Sequence, residues 1–259
     1  MKTFTIVIPT YNNLDLFKSA YSSVCKQDFK DYEVVVVDDS DDSSIADYVS
    51  SLNNPILIYR HHVPSAGAVN NWNHGLQLAS GKYVIVLHHD EAFEEDNYLT
   101  SLNVEFQKGY DVLVSRVKVF NGGILKPNMF SDAVMKGFIG CPSLLFLCNG
   151  IGPCSCVAFK RAHITDFDNR LNWLVDVDWY YRLLKGKRRK FLDDLHINSF
   201  NDHEDKITNQ IDVKQSEVKD IAILNVKYKY HLLLRCCLFI NKMVMLYDLK
   251  GIIKKLIRK

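Results

Sequence analysis

The chain has 259 residues, 47% of them apolar and 24% charged, with a formal net charge of +2. That length admits one large domain or one domain with an appendage, and so small a charge argues against nucleic acid as a partner. Seven cysteines, an odd number without framework spacing, argue against a disulfide scaffold and for a reducing cytosol. Cys154 and Cys156 are separated by one residue, which does not suit a zinc knuckle. No secretory signal and no spanning helix are expected, because no basic leader with a cleavage site and no run of about 20 uncharged apolar residues occurs.

Phe4 to Ile8 reads as a buried strand ended by Pro9. Leu14 to Lys26 follows with Leu14, Phe17, Tyr21 and Val24 at helical spacing. Tyr32 to Val37 is a second strand, uniformly apolar after Glu33 and so covered on both faces. Ser43 to Ser51 reads as a short helix capped by Ser43 or Ser44. Residues 55–59 predict a third strand, 66–79 a helix stopped near Gly81, and 83–87 a fourth strand. Strands alternating with helices imply βαβ units around a parallel sheet. Beyond residue 100, Val112 to Phe120 reads as a strand and Asn121 to Gly123 as a turn. Residues 124–158 have no clear period and are expected to form loops and short strands. Leu174 to Leu184 and the basic stretch from Val218 to Lys259 read as helical.

The strand 83–87 ends in His88, His89, Asp90 and Glu91. Ligands of open parallel sheets bind beyond the carboxyl ends of the strands. A hard divalent cation there takes oxygen ligands and keeps positions for phosphate oxygens. Asp90 is thus the first candidate to hold a metal–diphosphate, with a solvated strand-end turn as the alternative. Asp38 and Asp39 follow the second strand directly. A carboxylate there can accept the N3–H of uracil, which cytosine lacks. An Asp-rich turn, continued by Asp41 and Asp42, is the competing reading. Tyr11 can stack on a base or pack half-buried on a helix.

Together these segments resemble the family 2 glycosyltransferases of the GT-A fold. The residues that carry the resemblance are Thr5 to Asn13, Val34 to Ser40, Gly67 through Asn73-His-Gly75, Ala79 to Val84 and Leu87 to Glu91. Weaker matches reach about residue 210. The resemblance implies an α/β fold: a Rossmann-like nucleotide-binding half, a mixed, mostly parallel central sheet, and here a C-terminal helical basic tail. It implies a nucleotide-sugar-binding half at 1–100, an acceptor-binding and catalytic half at 101–215, and an amphipathic tail at 216–259. It places Thr10, Tyr11 and Asp39 around the nucleoside and Asp90 on Mn²⁺ or Mg²⁺ bridging the diphosphate. Two departures stand out. The usual Asp-x-Asp is His88-His-Asp90, and an Arg often found before Asn-x-Gly is Trp72. Histidine is a softer ligand and favours Mn²⁺. Alternatively His88 only hydrogen-bonds, with Asp90 the direct ligand and Glu91 assisting. The missing positive contact then falls to another residue such as Lys82 or Arg116.

The resemblance also assigns a general base to an acidic residue opening a helix near 173–182. Asp176 and Asp178 compete, and on a helix residues two apart do not face one reactive carbon. The spacing aligned on Arg182 favours Asp176, leaving Asp178 to bond backbone or Arg182; a mere N-cap is the bland role for Asp176. His203 lies where related enzymes return a histidine to the metal or diphosphate, or is a surface residue of a polar loop. The tail carries nine Lys and Arg from Lys227 onward against Asp248 alone, which reads as membrane-surface binding or as a packed helix with a solvated basic face. The expected activity is inverting transfer of a sugar from a nucleotide-sugar, UDP-linked, to a hydroxyl of a lipid-pyrophosphate-linked glycan in bacterial surface-polysaccharide assembly. The expected setting is cytoplasmic, peripheral at the inner face of the membrane. The alternatives are a catalytically degenerate nucleotide-sugar-binding protein of the same fold and a nucleotidyltransferase. The latter is disfavoured because Pro9 to Asn13 has no glycine to cradle phosphate.

Overall fold

The computed structural model describes residues 1–201 and 212–246. His203 and the basic residues beyond Leu246 lie outside the described residues. The elements run β1 (Phe4–Thr10), α1 (Leu14–Cys25), β2 (Tyr32–Asp38), α2 (Ser44–Ser51), β3 (Leu57–His61), α3 (Ala68–Leu78), β4 (Tyr83–Val86) and β5 (Glu91–Phe93). There follow α4 (Tyr98–Gln107), β6 (Val112–Asn121), β7 (Ile124–Leu125), α5 (Asp132–Gly140), β8 (Val157–Lys160), α6 (Val175–Leu184), β9 (Arg189–Phe200), α7 (Val213–Lys227) and α8 (Leu232–Leu246).

One sheet holds the strands in the order β3-β2-β1-β4-β8-β6-β9-β5, with β7 beside β6. β1 to β4 are parallel, β8 opposes β4 and β6, and β9 runs parallel to β6. The sheet is therefore mixed and mostly of one direction. Every residue of β1, β2 and β4 is buried, as expected of strands covered on both faces. α3 crosses β1 and β2 at Gly75, where a Cβ would lie 2.3 Å from Val7 Cγ1 and 3.1 Å from Val37 Cγ2. Only glycine allows that approach. At the opposite end of the sheet Ser80 donates to Glu33 (2.8 Å), and Gly81 sits against the backbone of Phe4, 2.6 Å from a would-be Cβ. The register pairs Thr10 with Asp38 and Val7 with Val86, so the carboxyl ends of β1, β2 and β4 emerge together.

Several elements depart from the sequence expectation. Residues 124–158 contain α5, not loops and short strands alone, and α4, β5 and β9 are additional. The described part of the tail is two helices, broken at Tyr228 to His231. α7 is docked, with Glu217, Asp220, Ile221 and Leu224 buried.

Candidate active site

The first wall of the site is the pair of loops after β1 and β2. Asp38 is fully buried and accepts from Thr10 Oγ1 (3.0 Å), Ser40 N (3.0 Å), Ser40 Oγ (2.5 Å) and Tyr59 OH (2.6 Å). Its acceptor capacity is filled, so Asp38 and Thr10 brace the strand ends. Asn12, at φ 49°, donates from its backbone to Ser40 Oγ (2.8 Å) and from its side chain to Asp41 (2.9 Å), tying the two loops together. Tyr11 is half-buried; its hydroxyl donates to Asp41 (3.4 Å) and its backbone N–H to His89 Nδ1 (3.2 Å). Asp39 is 3% exposed. It accepts from Ala66 N (2.7 Å) on one oxygen and from Ser65 Oγ (2.6 Å) and Gly67 N (2.8 Å) on the other. His62 Nδ1 stands 3.4 Å from the first oxygen, and His62 Nε2 lies 2.5 Å from His74 Nδ1. A base reaching Asp39 has to displace part of the Ser65–Gly67 segment.

The second wall follows β4. His88, Asp90 and Glu91 bring one ligand atom each within 4.8 Å of one another. A backbone turn holds them: Glu91 N donates to His88 O (3.0 Å), His88 N to Glu91 Oε2 (3.0 Å) and Phe200 N to Asp90 O (2.9 Å). Burial, then the charge of Asp90, pushes the Glu91 carboxyl well above the usual range. Burial lowers His88 to about 4, so the imidazole is neutral. Two carboxyls with one neutral imidazole suit a hard divalent ion that tolerates a nitrogen ligand, such as Mn²⁺, and a bound cation relieves the repulsion between Asp90 and Glu91. His88 Nε2 is 3.2 Å from Cys154 Sγ, and its ring lies 4.9 Å from that of Trp72, tilted by 32°. The two departures from the family pattern are thus in contact.

The third component is α6. Asp176 Oδ1 is buried and has no hydrogen-bond partner. Burial raises this carboxyl to about 7, and the charge of Asp176 acts on Glu91 and Cys154. Asp178 is fully buried and differently occupied. It accepts from Arg182 Nε (2.8 Å), Lys227 Nζ (2.9 Å) and Tyr228 OH (2.7 Å). The entry to α6 is held by Asp220 of α7, a fully buried carboxylate accepting from the backbone N–H of Asn172 (3.1 Å), Trp173 (2.7 Å) and Leu174 (2.8 Å). These are donors that the helix cannot satisfy internally. Asp220→Ala is expected to lower stability by about 3 kcal/mol, read from the urea midpoint; an unchanged midpoint would refute this role.

Lys82, expected at the nucleotide, is a correction. It precedes β4 at the end where Tyr83 pairs with Phe4, a full strand length from His88, and its backbone bonds Lys2 and Arg161. Arg116 is buried in β6, donates to Phe130 O (3.3 Å) and pairs with Asp132. Lys82 thus lies at the far end of the sheet, whereas Arg116, level with the end of β4 two strands away, is committed to Phe130 and Asp132. Sequence reasoning gave no role at the site to Asp220, Cys154, His62 or His74. Their partners lie far away in the chain, and no local spacing marks them.

Residues 5–167 match the family described as glycosyl transferase family 2. Similar curated proteins include the putative colanic acid biosynthesis glycosyl transferase WcaA of Escherichia coli, 34% identical over 89 residues. That match covers 34% of this chain and 32% of the relative. The GalNAc(5)-diNAcBac-PP-undecaprenol beta-1,3-glucosyltransferase of Campylobacter jejuni is 32% identical over 113 residues, covering 42% and 36%. The chain thus spans only about a third of the length of these relatives. Among solved structures, S. aureus TarS 1-349 in complex with UDP-GlcNAc superposes with a TM-score of 0.67 at 20% identity, over 86% of this chain and 67% of that one. The mannosyltransferase PcManGT of Pyrobaculum calidifontis, in complex with GDP-Man and Mn2+, gives 0.67 at 17% identity, over 94% and 70%. The fold is GT-A, and the match over residues 5–167 makes the chain a member of glycosyl transferase family 2.

Proposed function

We propose that this chain is an inverting glycosyltransferase that moves a sugar from a UDP-sugar to a hydroxyl of a lipid-pyrophosphate-linked glycan in bacterial surface-polysaccharide assembly. The observation that carries the reading is the buried, unpartnered Asp176 Oδ1, electrostatically coupled to Glu91 of the triad. The relatives' names support the substrate class, since one acts on an undecaprenol-linked glycan, and the TarS structure supports a UDP-linked donor. Thr10, Tyr11 and Asp39 take the nucleoside. Asp90 is the direct holder of Mn²⁺ or Mg²⁺, with His88, Glu91 and His203 as further candidates. The ion supplies charge neutralisation for the departing diphosphate. Asp176 takes the proton of the acceptor hydroxyl as that oxygen bonds the anomeric carbon and the carbon–oxygen bond to the diphosphate breaks. The products are the glycoside and UDP, and no covalent enzyme intermediate is needed. The reading includes work at the inner face of the cytoplasmic membrane, where a lipid-linked acceptor resides.

The experiment is UDP release from a panel of UDP-sugars, with Mn²⁺, Mg²⁺ or EDTA, with and without a synthetic lipid-pyrophosphate sugar. Metal-dependent release stimulated by the acceptor is the expected result. UDP binding with no release under any condition would instead favour the catalytically degenerate binder, to which the His88 substitution and its Cys154 contact lend support.

A further inference from the structure

α8 is apolar around most of its circumference, and a broad face of it is open. Leu234, Cys237, Leu238, Asn241 and Met245 are buried on one side. On the other, Leu232, Leu233, Phe239 and Ile240 are exposed by 77%, 53%, 62% and 49%. Cys236 is exposed between them. Positions 232, 236 and 239, like 233, 236 and 240, follow the helical repeat and form one stripe. Tyr230, 87% exposed, precedes it. Contiguous apolar surface of this kind marks an interaction site.

The surrounding charge identifies the occupant. Arg235 and Lys242, both exposed and seven residues apart, lie along one flank of the stripe. Lys229 is also exposed, with its Nζ 4.8 Å from the Tyr230 ring. No Asp or Glu occurs from 221 to 247. A second copy of this chain would bring the same cations to a two-fold contact without acids of α8 to pair them. Lipid phosphates supply the missing anions. α8 has 15 residues, and no described helix is long and apolar enough to cross a membrane, so the helix lies along a surface.

We propose that this face of α8 seats on an anionic lipid bilayer. Leu232, Leu233, Phe239 and Ile240 enter the acyl boundary, and Arg235 and Lys242 meet the phosphates. The docked helix is tied to the catalytic one: Asn241 Nδ2 donates to Glu217 Oε1 of α7 (3.0 Å), and Asp220 of α7 holds the entry to α6. The inference deepens the membrane-surface part of the proposed function, yet it is read without any sugar transfer.

The test is flotation of the full chain with vesicles of phosphatidylcholine alone or mixed with phosphatidylglycerol, paired with light scattering. The chain should float with the anionic vesicles and bind the neutral ones at least about tenfold more weakly. The Phe239→Ser/Ile240→Ser pair should weaken anionic binding at least about tenfold. Arg235→Glu/Lys242→Glu should weaken it about 100-fold. Each variant should keep the parental unfolding temperature, since the four side chains are exposed. Absence of binding by the parent chain overturns the proposal. So does undiminished binding by the serine pair, or a dimer that the serine pair disperses while vesicles bind neither protein. A chain that floats but releases no UDP overturns the transfer reading and leaves this one standing.

Discussion

Asp176→Asn should reduce sugar transfer by about 10²- to 10⁴-fold and leave UDP affinity unchanged, because the proposed nucleoside contacts belong to the loops after β1 and β2 while Asp176 belongs to α6. The same carboxyl makes the pH dependence specific. Burial raises it to about 7, and only its ionised form accepts a proton. Turnover should therefore climb about tenfold per pH unit below that value and level off above it. Stability should move the other way. The folded pKa lies above the unfolded value of about 4, so the folded chain holds this proton more tightly. That contribution is present below about pH 4 and lost as pH rises through about 7. The variant, neutral throughout, should exceed the parent in stability at pH 8 by about 1–3 kcal/mol. Asp178→Asn should do the reverse. It strips Arg182 and Lys227 of their buried partner and should cost about 3 kcal/mol of stability. Activity and urea unfolding of both variants decide between them. An active Asp176→Asn beside a folded but inactive Asp178→Asn would move the base to Asp178.

Asp90→Ala should lower turnover by about 10³-fold and remove stimulation by Mn²⁺. Asp90 sits in the turn after β4, with its backbone carbonyl held by Phe200 N–H (2.9 Å). Its loss leaves His88 neutral against Cys154 and Glu91 half-engaged by the His88 backbone, a poor pair for a hard cation. His88→Ala keeps both carboxyls and should have the smaller effect. UDP release with Mn²⁺, Mg²⁺ or EDTA reads both variants, and parental Mn²⁺ stimulation in Asp90→Ala would remove this residue from the metal site.

How far the fold is legible in the sequence varies by element. β1, β2 and β4 are covered on both faces, so they appear as unbroken apolar runs, and the acidic residues after them locate the ends of the strands. β9 is hidden. Its pairing with β6 shifts register between Val114 and Arg116, and exposed Asp193 and Asp194 interrupt its apolar pattern. β5 has only three residues, too short for any period. Lys82 shows the limit of nearness in sequence. It adjoins β4, but a strand has two ends, and this one faces away from the site.

What the sequence determined by itself was the βαβ order, the clustering of Asp38, Asp39 and His88 to Glu91 at strand ends, and two candidate aspartates on one helix. Those follow from local rules of periodicity and from the common direction of parallel strands. Only the tertiary structure shows how differently Asp176 and Asp178 are surrounded. Lys227 at the end of α7 and Tyr228 just after it, about fifty residues downstream, pair with Asp178, while Asp176 Oδ1 is buried without a partner. The cost of burying a carboxylate depends on what surrounds it, and those surroundings come from chain segments that no local pattern connects.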